Sequence, residues 1–376
     1  MKSQTWIEIS KEAIRQNIQS FRNIIPAKTK LAAIVKSNAY GHGMNLVAKE
    51  AVCSGADVLG VNSVQEALAL SQLVPEIPIL IMGSIHRLKG LNKVLNNERF
   101  WIVVSRIDEV ETLASFTPRP KIHLKTDTGM ARLGYSGQYM LETLYNISSK
   151  QLPLDGIMTH FASTEDFTEH SYTKKQLENF NDYIRFAFSL GYTNLVKHAS
   201  ASASTMLFED THLDMVRIGI SLYGLWPSIK TRLSLSLAGK DFILKPALEW
   251  KTRIQHIQNI PAGSFVGYGS TFRTNTPSRI AVLPVGYYEG YNRRLSNQSY
   301  VLVRGERANV AGRVCMNMTM IDVTHIKECK EGDEAVLIGN DGNESVTADF
   351  LADVSGTINY DIVTSLNKEI MRVLAH

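Results

Sequence analysis

The sequence predicts an α/β chain, a (β/α)8 (TIM) barrel followed by a mostly β C-terminal domain. Three observations point there. Short apolar runs alternate with helix-like periods down to about residue 220; the pattern then turns to short β segments; and polar, chemistry-bearing residues follow several of the apolar runs. The chain has 376 residues, 44% of them hydrophobic, which exceeds what one core usually serves and favours two domains. The boundaries read as 1–240 for the barrel and 241–376 for the β domain, with the first strand a candidate to pack with the latter.

Trp6-Ile7-Glu8-Ile9 reads as a short strand, and Ser10 is placed to cap a helix running through Ile14, Ile18 and Phe21. Leu31–Val35 is apolar without alternation, as a strand buried on both faces requires. Further strands are expected at Val58–Val61, Ile77–Met82, Phe100–Val104, Lys121–Leu124, Leu154–Thr159, Leu195–His198 and Met215–Ile218. Ser63-Val64-Gln65-Glu66 is a capping-box pattern. Eight strands with seven intervening helices fit a barrel; a doubly wound sheet competes, and strand counting does not exclude it. The pattern changes near Lys230–Leu244. Beyond it strands are expected at Ala247–Ile257, Ile280–Val285, Tyr300–Val303, Arg307–Val310, Met318–Val323 and Glu334–Ile338, with turns at Gly332-Asp333 and Asn340–Asn343 and a final helix from Thr364 to Val373.

Composition excludes several classes. A net charge of +4 without a long basic tract does not argue for nucleic acid. No apolar signal core or transmembrane-length run appears, so no membrane partner is expected. Cys53, Cys315 and Cys329 are irregularly spaced, which argues against disulfides and a metal site and favours a reducing cytoplasm.

Functional groups in a barrel gather at the C-terminal ends of its strands. Lys36 follows the first strand and opens a glycine-rich, donor-rich turn through Gly43; a partly desolvated lysine there suits a Schiff base with a phosphorylated aldehyde. Lys125 to Arg132 follow the fifth strand, His160 the sixth, His198 to Ser204 the seventh, and Arg217 ends the eighth. Taken singly, each is ordinarily a solvated or structural residue; five such strand ends together mark a site. Ser202 and the N–H groups of Gly219 and Ile220, after the last two strands, can donate to phosphate.

Leu31–Gly43, LAAIVKSNAYGHG, resembles the AxVKxNAYGHG motif of the alanine racemases, which implies pyridoxal 5'-phosphate (PLP) as cofactor with Lys36 as its lysine. Further segments resemble the family in matching order. KTDTGMARLG places Arg132 near the cofactor's phenolic oxygen and the substrate, with Lys125 facing it as a candidate for carbamylation. DMVRIGISLYG assigns Arg217 to the pyridine nitrogen, with His160 beside it. An arginine can only donate, so that nitrogen stays unprotonated and stabilises a carbanion weakly, which suits racemisation over decarboxylation or transamination.

Phe265–Thr271 resembles VSYGxTY and implies Tyr268 as the second acid/base; a tyrosine titrates near pH ~10 and needs cations nearby. Val285-Gly286-Tyr287 with Arg293-Arg294 resembles VGYxDGxxRR, with Tyr287 at the substrate entrance and Glu289 where aspartate is usual. GRVCMNM resembles GRxCMDM, offering Met316 to the substrate carboxylate, with Asn317 in place of the usual aspartate. Tyr40 and Tyr360 match the phosphate-binding tyrosines, and Ala201 replaces the asparagine of HxANSAA.

The resemblance thus implies an isomerase that interconverts L- and D-alanine with Lys36 and Tyr268 on opposite faces. It further implies a supply of D-alanine for peptidoglycan and a head-to-tail homodimer. Alternatives are a racemase of serine or of broad specificity, kept open by Asn317; a decarboxylase of the same plan, opposed by Arg217; and a non-catalytic PLP carrier, opposed by Gly267-Tyr268-Gly269.

Overall fold

The computed structural model describes residues 4–85, 91, 95–164 and 170–375. The chain divides into two compact units. One comprises Ala13–Ala39 and Val47–Pro246; the other comprises the chain up to Glu12, Tyr40–Leu46 and Ala247 onward. The chain opens with a strand of the second unit, β1 (Thr5–Ser10).

The first unit holds eight strands: β2 (Lys30–Ile34), β3 (Val58–Val61), β4 (Ile79–Ile81), β5 (Phe100–Val104), β6 (Lys121–Lys125), β7 (Gly156–Met158), β8 (Val196–His198) and β9 (Met215–Ile218). Every laddered pair is parallel, in the order β8-β7-β6-β5-β4-β3-β2-β9. This is a nearly closed (β/α)8 barrel. The last seam carries single bonds, Asp214 N–H to Lys197 O (3.1 Å) and Arg217 N–H to Ser200 O (3.2 Å), in place of a ladder. The strands are buried on both faces, which is why they are apolar runs and not alternations. Helix α1 (Lys11–Arg22) buries Ala13, Ile14, Asn17, Ile18 and Phe21. The Asn17 amide is fully used, donating to Leu222 O and Lys245 O and accepting from Lys245 N–H, so a buried polar group carries no desolvation debt. Ser63 and Glu66 make the expected capping box.

In the second unit, β10 (Leu248–Arg253) and β11 (His256–Ile260) come first, then β12 (Phe265–Val266), β13 (Phe272–Arg273) and β14 (Ser278–Leu283). They are followed by β15 (Tyr300–Val303), β16 (Glu306–Val310), β17 (Thr319–Asp322), β18 (Glu334–Asp341), β19 (Glu344–Val346) and β20 (Met371–Ala375). The main sheet runs β11-β14-β17-β16-β15-β18-β10-β1-β20, with β19 on β18 and β12–β13 a separate hairpin. The strand expected over Ala247–Ile257 breaks at Ile254-Gln255, where the backbone changes partners from β1 and β18 to β14.

The helix expected from Thr364 to Val373 is not there. A helix over Asn359–Thr364 ends, and β20 pairs in parallel with β1, Trp6 opposite Met371 through Ser10 opposite Ala375. Asn367 accepts Glu369 N–H on its side chain, and Arg372 donates to Leu366 O, Asn367 O and Ile370 O. These local bonds compete with helix, and sheet pairing decides the outcome.

Between β2 and the helix over Met44–Cys53 the backbone does something no composition signal announces. Ser37, Asn38, Ala39 and Tyr40 have φ of 54, 54, 54 and 51°, one turn of left-handed helix without a glycine. Each L-residue there costs roughly 1–2 kcal/mol. The turn is held by Ala39 N–H to Val35 O (2.9 Å) and by Ser37 N–H to Glu66 Oε1 (2.6 Å). The other Glu66 oxygen accepts Asn62 and Ser63 N–H, so one carboxylate caps a helix and pins the residue after Lys36. Gly41 follows at φ +85°, where a Cβ would stand 1.9 Å from Val363 O.

Two substitutions read this strain with opposite signs. Ser37→Gly relieves one left-handed residue and should raise unfolding free energy by about 1 kcal/mol. Glu66→Ala removes a cap and a charge-assisted bond and should lower it by about 2 kcal/mol. Urea denaturation of both variants checks the pair, and a destabilised Ser37→Gly would refute the strain.

Candidate active site

Parallel strands deliver all their C-terminal ends to one rim, and there the first unit gathers its cations. Lys36 stands two residues past β2, Lys125 ends β6, and Arg217 lies in β9. Arg132 is carried by the loop after β6. That loop is shaped by Asp127, whose Oδ1 accepts the N–H groups of Gly129, Met130 and Ala131 (2.9, 2.8 and 3.2 Å). Asp127 thus spends one oxygen on backbone.

Arg217 is buried and has no carboxylate partner among the described residues. Its Nη2 donates to Thr159 O (2.9 Å) and Ala199 O (2.8 Å) and reaches His160 Nδ1 (3.2 Å); Nη1 donates to His198 Nδ1 (3.0 Å). A guanidinium only donates, so His198 Nδ1 must be an acceptor and its proton sits on Nε2. That Nε2–H lies 2.9 Å from His123 Nδ1, which must accept in turn. His123 stacks on Trp101, ring centres 5.1 Å apart. The tautomers of two buried histidines follow from one arginine.

The electrostatics agree. Burial first, then Arg217, holds His198 well below the usual imidazole range, and burial brings His123 down to about 4. Burial, then Arg217 and Arg132, bring His160 down to about 3. Burial and Arg132 pull Arg217 down to about 9, which leaves it charged at neutral pH. Burial, then Arg132, lowers the Lys36 amine, with Glu66 opposing; burial, Arg132 and Arg217 bring Lys125 down to about 8. Four cations at one rim ask for an anionic guest. Ser202 is buried nearby in sequence at the start of the helix Ser202–Leu207, and its Oγ accepts Gly219 N–H (3.0 Å), leaving the hydroxyl proton to donate. Ile220 opens the single turn Ile220–Tyr223. A donor set of this kind fits a phosphate-bearing cofactor with a ring acceptor, and the neutral form of a lowered amine fits its aldehyde.

The second unit carries the other residues expected from the sequence. Tyr40 and Tyr360 stand with ring centres 6.2 Å apart, and burial pushes the Tyr40 phenol up to about 12. Tyr268 lies in the turn between β12 and β13 and is 73% exposed; Met316 is 55% exposed.

Sequence reasoning misses His123 and the second role of Glu66. His123 has a signal: Lys121, His123 and Lys125 share one strand face at period two. His198 was in view only as a strand end. Glu66 is explained locally by its cap, which hides the reach to Ser37.

The histidine pair predicts a pH dependence. Both pKa values are depressed below the unfolded value near 6.5, so the unfolded chain takes up protons first and stability falls with pH below about 6.5. By pH 5.5 the loss should be about 1 kcal/mol for each histidine. Urea midpoints between pH 7.5 and 5.5 measure it, and imidazole nitrogen shifts should show both rings as Nε2–H tautomers throughout; titration of either ring above pH 6 would refute the relay.

Comparison with known proteins places this site in a family. Residues 9–227 match the family description "Alanine racemase, N-terminal domain" and residues 247–374 match "Alanine racemase, C-terminal domain". The chain is 52% identical over 371 residues to an alanine racemase of Leptospira interrogans, covering 98% of this chain and 95% of that one. It is 39% identical to one from Methylacidiphilum infernorum, covering 99% and 93%. Among solved structures, alanine racemase of Bacillus anthracis with bound L-Ala-P superposes with a TM-score of 0.90 at 33% identity, covering 100% of this chain and 96% of that one. Alanine racemase of Bartonella henselae, with covalently bound pyridoxal phosphate, gives 0.83 at 25% identity, covering 99% and 100%. With both domains matched in order and more than half of the residues shared with one relative along nearly its whole length, the chain belongs to the alanine racemase family.

Proposed function

We propose that this chain interconverts L- and D-alanine with PLP as its cofactor, that Lys36 and Tyr268 are its two acid–base groups, and that it works as a homodimer. The observation that carries the reading is the buried Arg217, satisfied by two carbonyls and two imidazoles at the rim that also carries Lys36. When bound, PLP supplies an aldehyde carbon that takes up an amine and a ring that accepts electron density.

The chain's own residues do the rest. Lys36, its amine lowered by burial and Arg132, has a neutral form that can take a proton at Nζ. Arg217 offers only N–H groups, so set against the ring nitrogen it would leave that atom unprotonated and the electron sink weak. A short-lived charge at the reacting carbon favours prompt return of a proton, which is racemisation. Ser202, the Gly219 and Ile220 backbone, Tyr40 and Tyr360 would hold the phosphate without adding charge. Arg132 would meet the phenolic oxygen and the substrate. Lys125, at about 8, has the free amine that carbamylation needs, and as a carbamate it would turn one of four cations into an anion orienting Arg132. Tyr268 would move the proton on the opposite face, Met316 would meet the substrate carboxylate, and Tyr287 would border the entrance. D-alanine made this way is a precursor for cell-wall peptide.

The test is exchange of the α-proton with deuterium oxide for each enantiomer, with loss of optical rotation. Racemisation of alanine with Lys36→Ala and Tyr268→Phe each inactive is expected; an active Lys36→Ala would overturn the assignment. The dimer is tested by mixing the two inactive variants. If each site takes Lys36 from one subunit and Tyr268 from the other, an isologous two-fold makes one intact site per hybrid, and equal random mixing should restore roughly a quarter of wild-type activity. Tag-confirmed hybrids without activity would place both residues in one chain's site.

A further inference from the structure

Two segments of the second unit are locked backbone to backbone. Tyr287 N–H donates to Cys315 O (3.0 Å), Tyr288 N–H to Met316 O (2.9 Å), and Thr319 Oγ1 to Val285 O (2.7 Å). The approach is so close that a Cβ on Gly286 would stand 2.2 Å from Cys315 O and 2.4 Å from Met316 O. One carboxylate spans the join. Glu289 Oε2 accepts Gly286 N–H (2.8 Å) on its own segment, and Oε1 accepts Asn317 Nδ2–H (2.8 Å) from the facing one. The Glu289 carbonyl also accepts Asn367 N–H (3.1 Å), fixing the backbone from which the carboxylate reaches.

We propose that Glu289, through Asn317, is a positioning residue that clasps the Tyr287 segment to the Met316 segment, and that positions 289 and 317 are coupled as acceptor and donor. This rests on the reading above, in which Tyr287 and Met316 border the substrate. The coupling follows from hydrogen-bond inventory. A carboxylate only accepts, so the residue facing it must bring an N–H. Asparagine does; aspartate at 317 would set two carboxylates at hydrogen-bond distance with no proton between them. Glutamate at 289 and asparagine at 317, each standing where the family segments have aspartate, therefore form one change rather than two.

The engineered clash supplies a pH signature. In Asn317→Asp the two carboxylates repel when both are charged and can share one proton when acidified. The other ionisable groups of these segments are Tyr287, Tyr288, Tyr291, Arg293 and Arg294 on the Glu289 segment, Arg313 and Cys315 beside Asn317, and Lys368 and Glu369 beside Asn367. Of these only Glu369 is a further carboxylate, and wild type carries it too.

The experiment uses the holoenzyme. Relative to wild type at the same pH, kcat/KM of Asn317→Asp for alanine should fall about tenfold at pH 8.5 and recover to within about threefold at pH 6. Amides of residues 286–288 should exchange faster at pH 8.5. Glu289→Gln with Asn317→Asp reverses the polarity, Gln Oε1 taking Gly286 N–H and Nε2 donating to the new carboxylate; it should restore both readouts to within about twofold and abolish the added pH dependence. Glu289→Gln alone, whose amide can turn to Asn317 Oδ1, is the folded control. A merely structural role would move the melting temperature and leave the pH profile unchanged. The proposal is overturned if Asn317→Asp matches wild type in profile and exchange, or if the double variant shows the product of the single losses. A wild type that does not racemise alanine refutes the activity reading, and amide exchange then decides the clasp alone.

Discussion

A buried guanidinium with no carboxylate partner among the described residues is the constraint around which the mouth of the barrel is built. Leaving Arg217 unpaired inside the protein would be prohibitive, and a carboxylate partner would cancel its charge. The solution is two carbonyls from the ends of β7 and β8 and two imidazoles, each turning an accepting Nδ1 to the guanidinium. Two strand ends, those of β7 and β8, are thereby tied to β9 at the seam where the backbone ladder is absent. The same charge lowers Lys125 and His160, so the group that fixes the geometry also sets the proton inventory of its neighbours.

The barrel was legible because burial on both faces leaves only apolar runs. Val58–Val61, Phe100–Val104 and Met215–Ile218 need no tertiary information to be seen. Lys36 was legible from its place after such a run. What escaped reading depends on partners far away in sequence. The end of the chain has helical period but pairs with β1, and nothing between Thr364 and Val373 encodes that. His123 looks like one polar residue in a strand until Arg217, 94 positions later, dictates its tautomer through His198.

The left-handed turn after β2 is the clearest case of a feature hidden from composition. Glycine would have announced it, and residues 37–40 contain none. The chain holds Ser37 there with a carboxylate that the sequence explains completely as a helix cap. Strain beside Lys36 fixes the direction in which the backbone leaves it, so the amine's position is set by torsion angles as well as by packing. Glu66, whose charge also opposes the lowering of Lys36, links the two effects in one side chain.

The parallel pairing of β1 with β20 governs the order in which the protein can be made. β1 leaves the ribosome long before β20, its partner on one side, because the whole barrel and most of its own sheet lie between them in sequence. The barrel has all of its strands once Ile218 has emerged, whereas β1 waits with an open edge through the synthesis of every strand of the other sheet. An unpaired edge is a template for wrong partners, and this one carries Ile7 and Ile9, both fully buried in the finished sheet. Its alternation with Trp6, Glu8 and Ser10 confines that hazard to one face, so the nascent chain carries a half-protected strand until translation brings its mate.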